Sequence, residues 1–475
     1  MVFIMDRVGI LVVCYGSRGV AMVDSFSRSQ NYATEIYVVD KQRNPYNVKK
    51  AKKHVVIPDF DVERICKFAK KHERMIDFGI VGPEKPIING VRDVVERETE
   101  IPMICPTREY AIEGSKVAQR RLFQRVVPEA NPSFRVFDPK DYSTLSKVKR
   151  NLNGWLDELN NKVAIKPDRP AAGKGVGVWG DHFNTREQLL EHFLSNYEYG
   201  SVIVEEKVDG EESSFQAFCD GKHLAPLPET RDYKRAFDED KGPNTGGMGS
   251  YKDVGDWLPF MTPADKEKEI QIVNKIFKKL KGKGSNPGLR GVPFYEAFIH
   301  TGRGPKILEN NSRPGDPEIQ NLLPILKDDF VDVCFRILDG NLRRVRFEKR
   351  ATVVTYMAPP NYGGFKNVFP ERVNSSEIDK PVDLSGAYGL TKKYEERVRI
   401  YPGSMELRDD GQTYALGSRT LCAVGIGENI ENARENSLDG LMAVKGGALW
   451  FRADIASREH IAKSMEHMKR LRNQW

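Results

Sequence analysis

The chain has 475 residues, 30% charged and 39% hydrophobic, with a formal charge of +7 from 74 basic and 67 acidic side chains. That length exceeds one hydrophobic core and suggests about three or four domains. Acids and bases mix along most of the chain, which favours small anionic ligands over a nucleic-acid track, and no apolar run reaches a membrane span. Six scattered cysteines without a Cys-x-x-Cys pair, and no signal-peptide pattern, point to buried free thiols in a reducing cytoplasm.

The chain opens with the pattern of a doubly wound parallel α/β domain. Residues 8–13 form an apolar run, Gly16-Ser17-Arg18-Gly19 turns into a helix-like segment from Val20, and a second run, residues 36–39, ends in Asp40. The G-x-G-x-x-G fingerprint is absent, which excludes a nicotinamide site. Backbone N–H groups of this turn and Arg18 could meet a phosphate at the helix start; a bare strand-to-helix turn fits equally well. Residues 75–81 predict another strand, closing with Gly82-Pro83-Glu84. Ligands bind at the carboxyl ends of parallel strands, so Glu84 stands either where a substrate hydroxyl is held or in an ordinary turn. Residues 102–106 supply the last strand of this domain.

Ser115 is placed to cap a helix beginning near Lys116. Residues 163–166 form a short strand ending in Lys166, followed by Ala171-Ala172-Gly173-Lys174-Gly175-Val176-Gly177-Val178. These glycines permit close backbone approach to phosphates, although the spacing is not that of a Walker A loop. A hairpin turn alone would explain them; the nearby Lys166 favours a nucleotide lid. Residues 202–208 run as an apolar strand into Glu205, Glu206, Lys207 and Val208. Such an extended backbone could pair with an adenine edge while a carboxylate holds ribose hydroxyls; a solvated strand end is the alternative.

Residues 231–251 are polar and rich in turn formers, with Asp232 near the start and Gly242-Pro243-Asn244-Thr245-Gly246-Gly247-Met248-Gly249 at the centre. A stretch of this kind, preceded by Arg231, Lys234 and Arg235, predicts a substrate-binding loop. Residues 263–281 follow as an amphipathic helix capped by Thr262, and residues 294–299 as a strand. Glu309 and Asn311 then stand two apart on a strand, so they share a face. A carboxylate and an amide oxygen there suit magnesium, or manganese, bridging nucleotide phosphates. A polar turn with Arg313, Asp316 and Glu318 comes next, then a helix over 330–338. The remainder, with strand-like stretches such as 351–357, shows no titratable constellation and is expected to act as support or lid.

Two lysines ahead of a glycine loop, an acidic hinge and then Glu309 and Asn311 resemble the ATP-grasp ligases. Gly82-Pro83-Glu84, Ser115-Lys116, the 171–176 loop, the 242–249 loop and Gly315-Asp316-Pro317-Glu318 occur in the order seen in the phosphoribosylamine–glycine ligase family. Phe451-Arg452-Ala453-Asp454-Ile455 looks like its C-terminal signature, so the resemblance covers essentially the whole chain. Residues 321–329, N-L-L-P-I-L-K-D-D, are most similar to its archaeal branch.

The resemblance implies an N-terminal α/β domain (1–110), a small ATP-grasp lobe with a glycine-rich lid (111–200), a catalytic lobe (201–340) and a C-terminal mixed α/β domain (341–475). It implies ATP-dependent ligation of glycine to 5-phosphoribosylamine through glycyl phosphate, in purine biosynthesis. The partners are then small molecules, with no nucleic acid or membrane, and the protein a monomer or weak homo-oligomer. By that analogy Lys116, Lys166, Gly173, Lys174 and Gly175 contact ATP phosphates and Glu205, Glu206, Lys207 and Val208 form the adenine hinge. Glu309 and Asn311 hold the metal. Arg313, Asp316 and Glu318 orient the reactants, aided by Arg18, Glu84, Asp232 and Asn244, Thr245, Gly246, Gly247, Met248 and Gly249.

Three features depart from the family pattern. The first turn reads G-S-R-G-V-A rather than G-G-R-E-H-A, and Pro314 stands in the R-F-G-D-P-E turn. Archaeal relatives carry an oxygen ligand twelve residues before the metal glutamate, where this chain has Ala297. Glu296 would face the other side of a regular strand unless a bulge re-aims it. A ligase acting on a different amine, and a non-catalytic ATP-binding protein, are the competing expectations.

Overall fold

Apolar runs bounded by glycine turns build the N-terminal domain of the computed structural model, which describes residues 6–168, 175–282, 286–394 and 396–474. Strands β1 (Asp6–Cys14), β2 (Tyr32–Asp40), β3 (Lys53–Val56), β4 (Phe78–Val81) and β5 (Met103–Ile104) lie in the order β3-β2-β1-β4-β5. Every pairing is parallel. Ile10, Leu11, Val12 and Val13 of the central strand are wholly buried, as a parallel sheet covered on both faces requires. Helix α1 (Gly16–Ser27) leaves β1 through Gly16, whose φ of +71° a side chain would disfavour. Its N-terminus opens beside β1 and β4, where the strand order switches direction and doubly wound folds bind ligands.

Helix α2 (Lys116–Val126) begins where expected, with the Ser115 hydroxyl accepting from the Ala118 N–H. The small lobe then forms an antiparallel sheet from β6 (Phe134–Phe137), β7 (Val163–Pro167), β8 (Gly177–Val178) and β9 (Val202–Glu206), in the order β6-β9-β7-β8. Ile165 pairs with Gly177 and Ala164 with Val178, so β7 and β8 are the two arms flanking the glycine-rich stretch. Gly173 and Lys174 lie outside the described residues.

Next, β10 (Glu211–Cys219) and β11 (Leu224–Pro226) precede the stretch expected as a loop. That stretch folds into four short strands, β12 (Arg231–Asp232), β13 (Arg235–Phe237), β14 (Lys241–Asn244) and β15 (Gly249–Lys252). Helix α3 (Pro263–Leu280) starts with a capping box between Thr262 and Asp265 and buries Ile272, Val273 and Ile276. Strands β16 (Gly291–Thr301) and β17 (Gly304–Asn311) complete an antiparallel sheet ordered β11-β10-β16-β17. Helices α4 (Glu318–Leu322) and α5 (Phe330–Leu338) follow.

The C-terminal part adds β18 (Ala351–Ala358), β19 (Val398–Pro402), β20 (Met405–Leu407), β21 (Thr413–Ala415), β22 (Leu421–Gly427) and β23 (Trp450–Phe451), with helices α6 (Ile430–Met442) and α7 (Arg458–Asn473). One sheet runs β12-β15-β18-β22-β19, with β23 also on β18. It joins residues on both sides of position 340: Gly249 to Lys252 pair with Thr355 to Thr352. Strands as short as β12 and β15 cannot bury a face alone, and β18 supplies the partner they lack. Val12, Phe26, Leu322, Tyr356, Tyr401 and Val424 share one core, so chain ends far apart in sequence enclose the same interior. All six cysteines are buried and free. Among the described residues, no helix is long and apolar enough to cross a membrane.

Candidate active site

The β16–β17 ladder sets the centre of the site. Ala297 lies opposite Glu309 and Phe298 opposite Ile307, so Leu308 is an extra residue on β17, a bulge. Beyond it Glu309 and Asn311 keep a common face, across from Ala297 and Tyr295, as their spacing predicts. On the next strand Ser214 lies opposite Ala297 and Glu212 opposite Ile299. Glu296 points the other way: it is fully buried, accepts from Asn310 Nδ2 at 2.9 Å, and burial pushes its carboxyl up to about 8. The bulge falls in β17 and leaves Glu296 away from the site.

Basic side chains surround Glu309. Lys116 Nζ lies 3.9 Å from its carboxylate, Lys166 Nζ donates to the neighbouring Leu308 carbonyl at 3.0 Å, and Lys234 pairs with Glu212 at 2.5 Å. Burial would raise the Glu309 pKa, but Lys116, Lys234, Lys166 and Arg313 outweigh it and hold the group at about 2. It is therefore an anion at any physiological pH. An ionised carboxylate beside the Asn311 amide oxygen fits a hard cation of the magnesium type, which takes few protein ligands and completes its shell with phosphate and water. Among the described residues, no cluster of three or more His, Cys, Asp and Glu side chains offers a rival metal site.

The expected adenine hinge divides by face. Val202 and Val204 enter the small-lobe core with Phe137 and Phe193, which turns Glu205 inward on the other face. Its buried carboxylate is already committed: Arg120 Nε donates to it at 2.7 Å and Lys166 Nζ lies at 2.5 Å. Arg120 also donates to the Ile307 and Leu308 carbonyls at 2.8 and 2.7 Å. Glu205 thus fixes Lys166 and β17 relative to one another, through Arg120 and Lys166. Glu206 faces Lys306 at 3.4 Å, Lys207 donates to the Trp179 carbonyl at 2.8 Å, and Val208 follows the end of β9. Gly175, the first described residue after position 168, has φ +97°.

At the other end Arg313, Arg18 and Glu84 converge. Arg313 Nε lies 3.7 Å from Glu84 and 3.6 Å from Glu113, and its Nη2 donates to Asn311 Oδ1 at 3.3 Å. Arg18, in the first turn of α1, donates to the Pro314 carbonyl at 2.7 Å and sits 3.7 Å from Glu84. Its Nε is buried without a hydrogen-bond partner. Glu113, which stands beside the expected Ser115 cap without being singled out, accepts from the Ser312 N–H at 2.9 Å. Burial lifts it to about 7 against the pull of Arg313.

Glu318 accepts from the Tyr295 hydroxyl and from Ser214 Oγ, the latter at 3.3 Å, and its second oxygen has no partner. One carboxylate oxygen of Asp232 is likewise buried and unpartnered, and burial with the nearby Glu318 pushes Asp232 well above the usual carboxylate range. Buried acceptors of this kind are costly unless a donor arrives. Gly247, at φ +98°, lets the loop pass over them: a Cβ there would press on Asp232 and come within 2.7 Å of Pro317. Thr245 ties the loop back through two bonds to the Lys234 carbonyl, at 2.7 and 2.9 Å, and Gly246 N–H donates to the Tyr362 hydroxyl at 3.1 Å. Asn244 pairs with Arg235 on β13. Met248 points into a core with Tyr233 and Tyr251 instead, and Gly249 belongs to the β15 ladder.

The C-terminal part does carry a charged constellation, which corrects the expectation of mere support. Arg419 donates to the carbonyls of Gly246 and Gly247 at 2.6 and 2.9 Å and to Asp316 Oδ2 at 3.0 Å. Its guanidinium lies 4.5 Å over the Tyr356 ring, and the Tyr356 hydroxyl donates to Asp316 at 2.7 Å. Arg452, within the C-terminal signature, is buried and joins Asp454 at 2.7 Å and Asp240 at 3.0 Å, anchoring the β13–β14 hairpin. Nothing in Gly417-Ser418-Arg419-Thr420 marks Arg419 as functional, because its hydrogen-bond partners Asp316, Gly247 and Gly246 lie 103, 172 and 173 residues upstream.

A doubly wound domain, an antiparallel sheet carrying the β7–β8 pair, and a second sheet with a lysine-ringed acid–amide pair define an ATP-grasp ligase. The sequence profile of the phosphoribosylglycinamide synthetase N domain matches residues 8–113, and that of its ATP-grasp (A) domain matches residues 135–319. Similar curated proteins include the phosphoribosylamine–glycine ligases of Methanocella arvoryzae, 36% identical over 98% of this chain and 99% of the relative, and of Pyrococcus furiosus, 36% identical over 98% of each. Among solved structures, the phosphoribosylamine–glycine ligase of Thermotoga maritima superposes with a TM-score of 0.71 at 23% identity, covering 94% of this chain and all of that one. The biotin carboxylase domain of Hydrogenobacter thermophilus 2-oxoglutarate carboxylase, in complex with MgADP, gives 0.67 at 16% identity, covering 97% and 93%. The chain belongs to the phosphoribosylglycinamide synthetase family.

Proposed function

We propose that this protein ligates glycine to 5-phosphoribosylamine at the expense of ATP, giving glycinamide ribonucleotide, ADP and phosphate. The observation that carries the reading is one continuous face: a phosphate side built from Lys116, Lys166, Glu309 and Asn311 adjoins buried acids with open acceptors, Asp232 and Glu318, and then the pair Arg18 and Arg313. A bound magnesium ion, held by Glu309 and Asn311, would neutralise charge on the β- and γ-phosphates. Lys116 and Lys166 add fixed positive charge where phosphoryl negative charge develops, so positioning and electrostatics do the work.

Asp232 and Glu318 supply the missing donors' counterpart: two unsatisfied acceptors suit the ammonium of glycine and leave its carboxylate toward the lysines. A glycine carboxylate oxygen attacks the terminal phosphorus, the bond to ADP breaks, and glycyl phosphate forms. The amine of phosphoribosylamine then attacks the acyl carbon, the carbon–oxygen bond to phosphate breaks, and one amine proton passes to phosphate or solvent. Arg18 at the α1 N-terminus, with Arg313, receives the substrate phosphate, and Glu84 a ribose hydroxyl. The protein would work in the cytoplasm on these small molecules, as a monomer or weak homo-oligomer.

ADP release should require glycine and phosphoribosylamine together. A panel of other amines at equal concentration should leave the rate at background; equal or faster release with another amine would transfer the assignment to that amine, and ATP binding without turnover under any pair would end the enzymatic reading.

A further inference from the structure

Strand β17 lies at the end of the order β11-β10-β16-β17, so among the described residues one of its edges has no strand beside it. Backbone N–H and C=O groups on such an edge lack ladder partners, and burial makes them costly until they are met. Side chains meet them here. Arg120 donates to the Ile307 and Leu308 carbonyls at 2.8 and 2.7 Å, and Glu113 accepts from the Ser312 N–H at 2.9 Å. Between these two stands Gln119, buried on helix α2, whose amide takes both backbone groups of Asn310. Its oxygen accepts from the Asn310 N–H at 2.9 Å, and its nitrogen donates to the Asn310 carbonyl at 3.0 Å.

We infer that Gln119 is a positioning residue for the metal-dependent step: it docks on Asn310 as a neighbouring strand would, and so fixes Lys116 relative to the Glu309–Asn311 pair. The inference rests on the nucleotide and metal roles proposed for those three residues. Asn310 is the residue between Glu309 and Asn311, so its backbone turns to the open edge while their side chains share one face. Gln119 stands three residues after Lys116, on the same side of α2. Its second N–H donates to the Ile112 carbonyl at 3.1 Å, in the segment that leads into the helix. Both N–H groups and the oxygen are thus engaged by backbone on the two sides of one joint. The amide cannot reverse, because its nitrogen would then oppose the Asn310 N–H.

The joint governs a competition between cations. Lys116 Nζ stands 3.9 Å from the Glu309 carboxylate, farther than the roughly 2.7–2.9 Å of a direct charge-assisted hydrogen bond. At that separation the ammonium neutralises charge without occupying the oxygen a metal needs. Attraction between the two grows as they approach, so a first turn of α2 free to move would carry Lys116 onto Glu309. A divalent cation would then have to displace the ammonium before it could bind. Gln119 opposes that movement by tying the helix to the very strand that bears the carboxylate, one residue away from it.

Gln119→Met keeps the length of the side chain and removes its hydrogen bonds. On the full chain, without glycine or amine, the magnesium concentration that half-saturates ATP binding should rise roughly fivefold or more, the scale of coupling between touching residues. ATP affinity at saturating magnesium should stay within about twofold of the parent. Gln119→Asn, whose amide is one methylene short, should act in the same direction and serves where the methionine variant does not fold. In a Lys116→Ala background, adding Gln119→Met should leave the magnesium requirement unchanged, because the competing ammonium is gone. Phe123→Leu, a core change on the same helix, should lower the melting temperature without moving that requirement, which separates positioning from support. An unaltered magnesium requirement in both Gln119 variants, or a rise that persists in the Lys116→Ala background, would overturn the inference while leaving the proposed reaction standing. ATP binding by the parent that is indifferent to magnesium would overturn the metal role and the inference with it.

Discussion

Arg419→Ala tests the claim that the C-terminal part shapes the active site. The side chain is 15% exposed and its Asp316 partner 12%, so the pair sits where solvent screens little. Removing one member of a buried pair typically costs about 3–5 kcal/mol, because the remaining charge is stranded. Asp316 still accepts from Tyr356 at 2.7 Å and Gln320 at 2.8 Å, which places the loss near the low end. A loss of about 3 kcal/mol expressed at the transition state is roughly a hundredfold in kcat/KM. The glycine loop also loses two carbonyl anchors, so the KM for glycine should rise while the Kd for ATP stays unchanged. Arg419→Lys should recover little, since one ammonium cannot span both carbonyls and the carboxylate. Steady-state kinetics with each substrate varied, alongside ATP titration and thermal melting, separate these effects. A variant that melts normally and keeps kcat/KM within threefold of the parent would refute the clamp.

Other substitutions probe single links of the argument. Glu309→Gln should abolish turnover and weaken magnesium-dependent ATP binding while the melting temperature holds; parent-like activity would be incompatible with the metal role. Glu296→Gln should keep full activity, because that carboxyl faces Asn310 and not the site. Its folded pKa of about 8 lies above the ordinary carboxylate value, so its contribution to stability is complete at low pH and is lost as pH rises through 8. The glutamine variant should therefore out-melt the parent at pH 9 and match it near pH 4; a difference of opposite sign would mean the carboxylate is ionised in the fold. Gly247→Ala should cost about 1–3 kcal/mol from the left-handed backbone alone, and more in glycine KM as the new methyl crowds Asp232 and Pro317. Unchanged glycine KM would remove Asp232 from the substrate pocket.

Much of the framework was legible in the sequence because it depends on local rules. Period-two alternation put Glu309 and Asn311 on one face, and the Ser115 and Thr262 hydroxyls announced the helices they cap. The strand over residues 8–13 and the helix over 330–338 follow from uninterrupted apolar patterning. Residues 231–251 resisted the same treatment: turn formers dominate their composition, yet β12 and β15 become strands because β18, a hundred residues later, pairs with β15, while β13 and β14 pair with each other.

Side-chain commitment is where local reasoning stops. Glu205 looks like a solvated acid at a strand end until Arg120, 85 residues away, and Lys166 close on it. A carboxylate so paired serves as scaffold, whereas Asp232 and Glu318, no more conspicuous in the sequence, are buried with acceptors still open. The distinction between a charge that holds the fold and one that waits for a ligand lies in which partners have already been satisfied. That depends on contacts of high sequence separation, which no periodicity encodes.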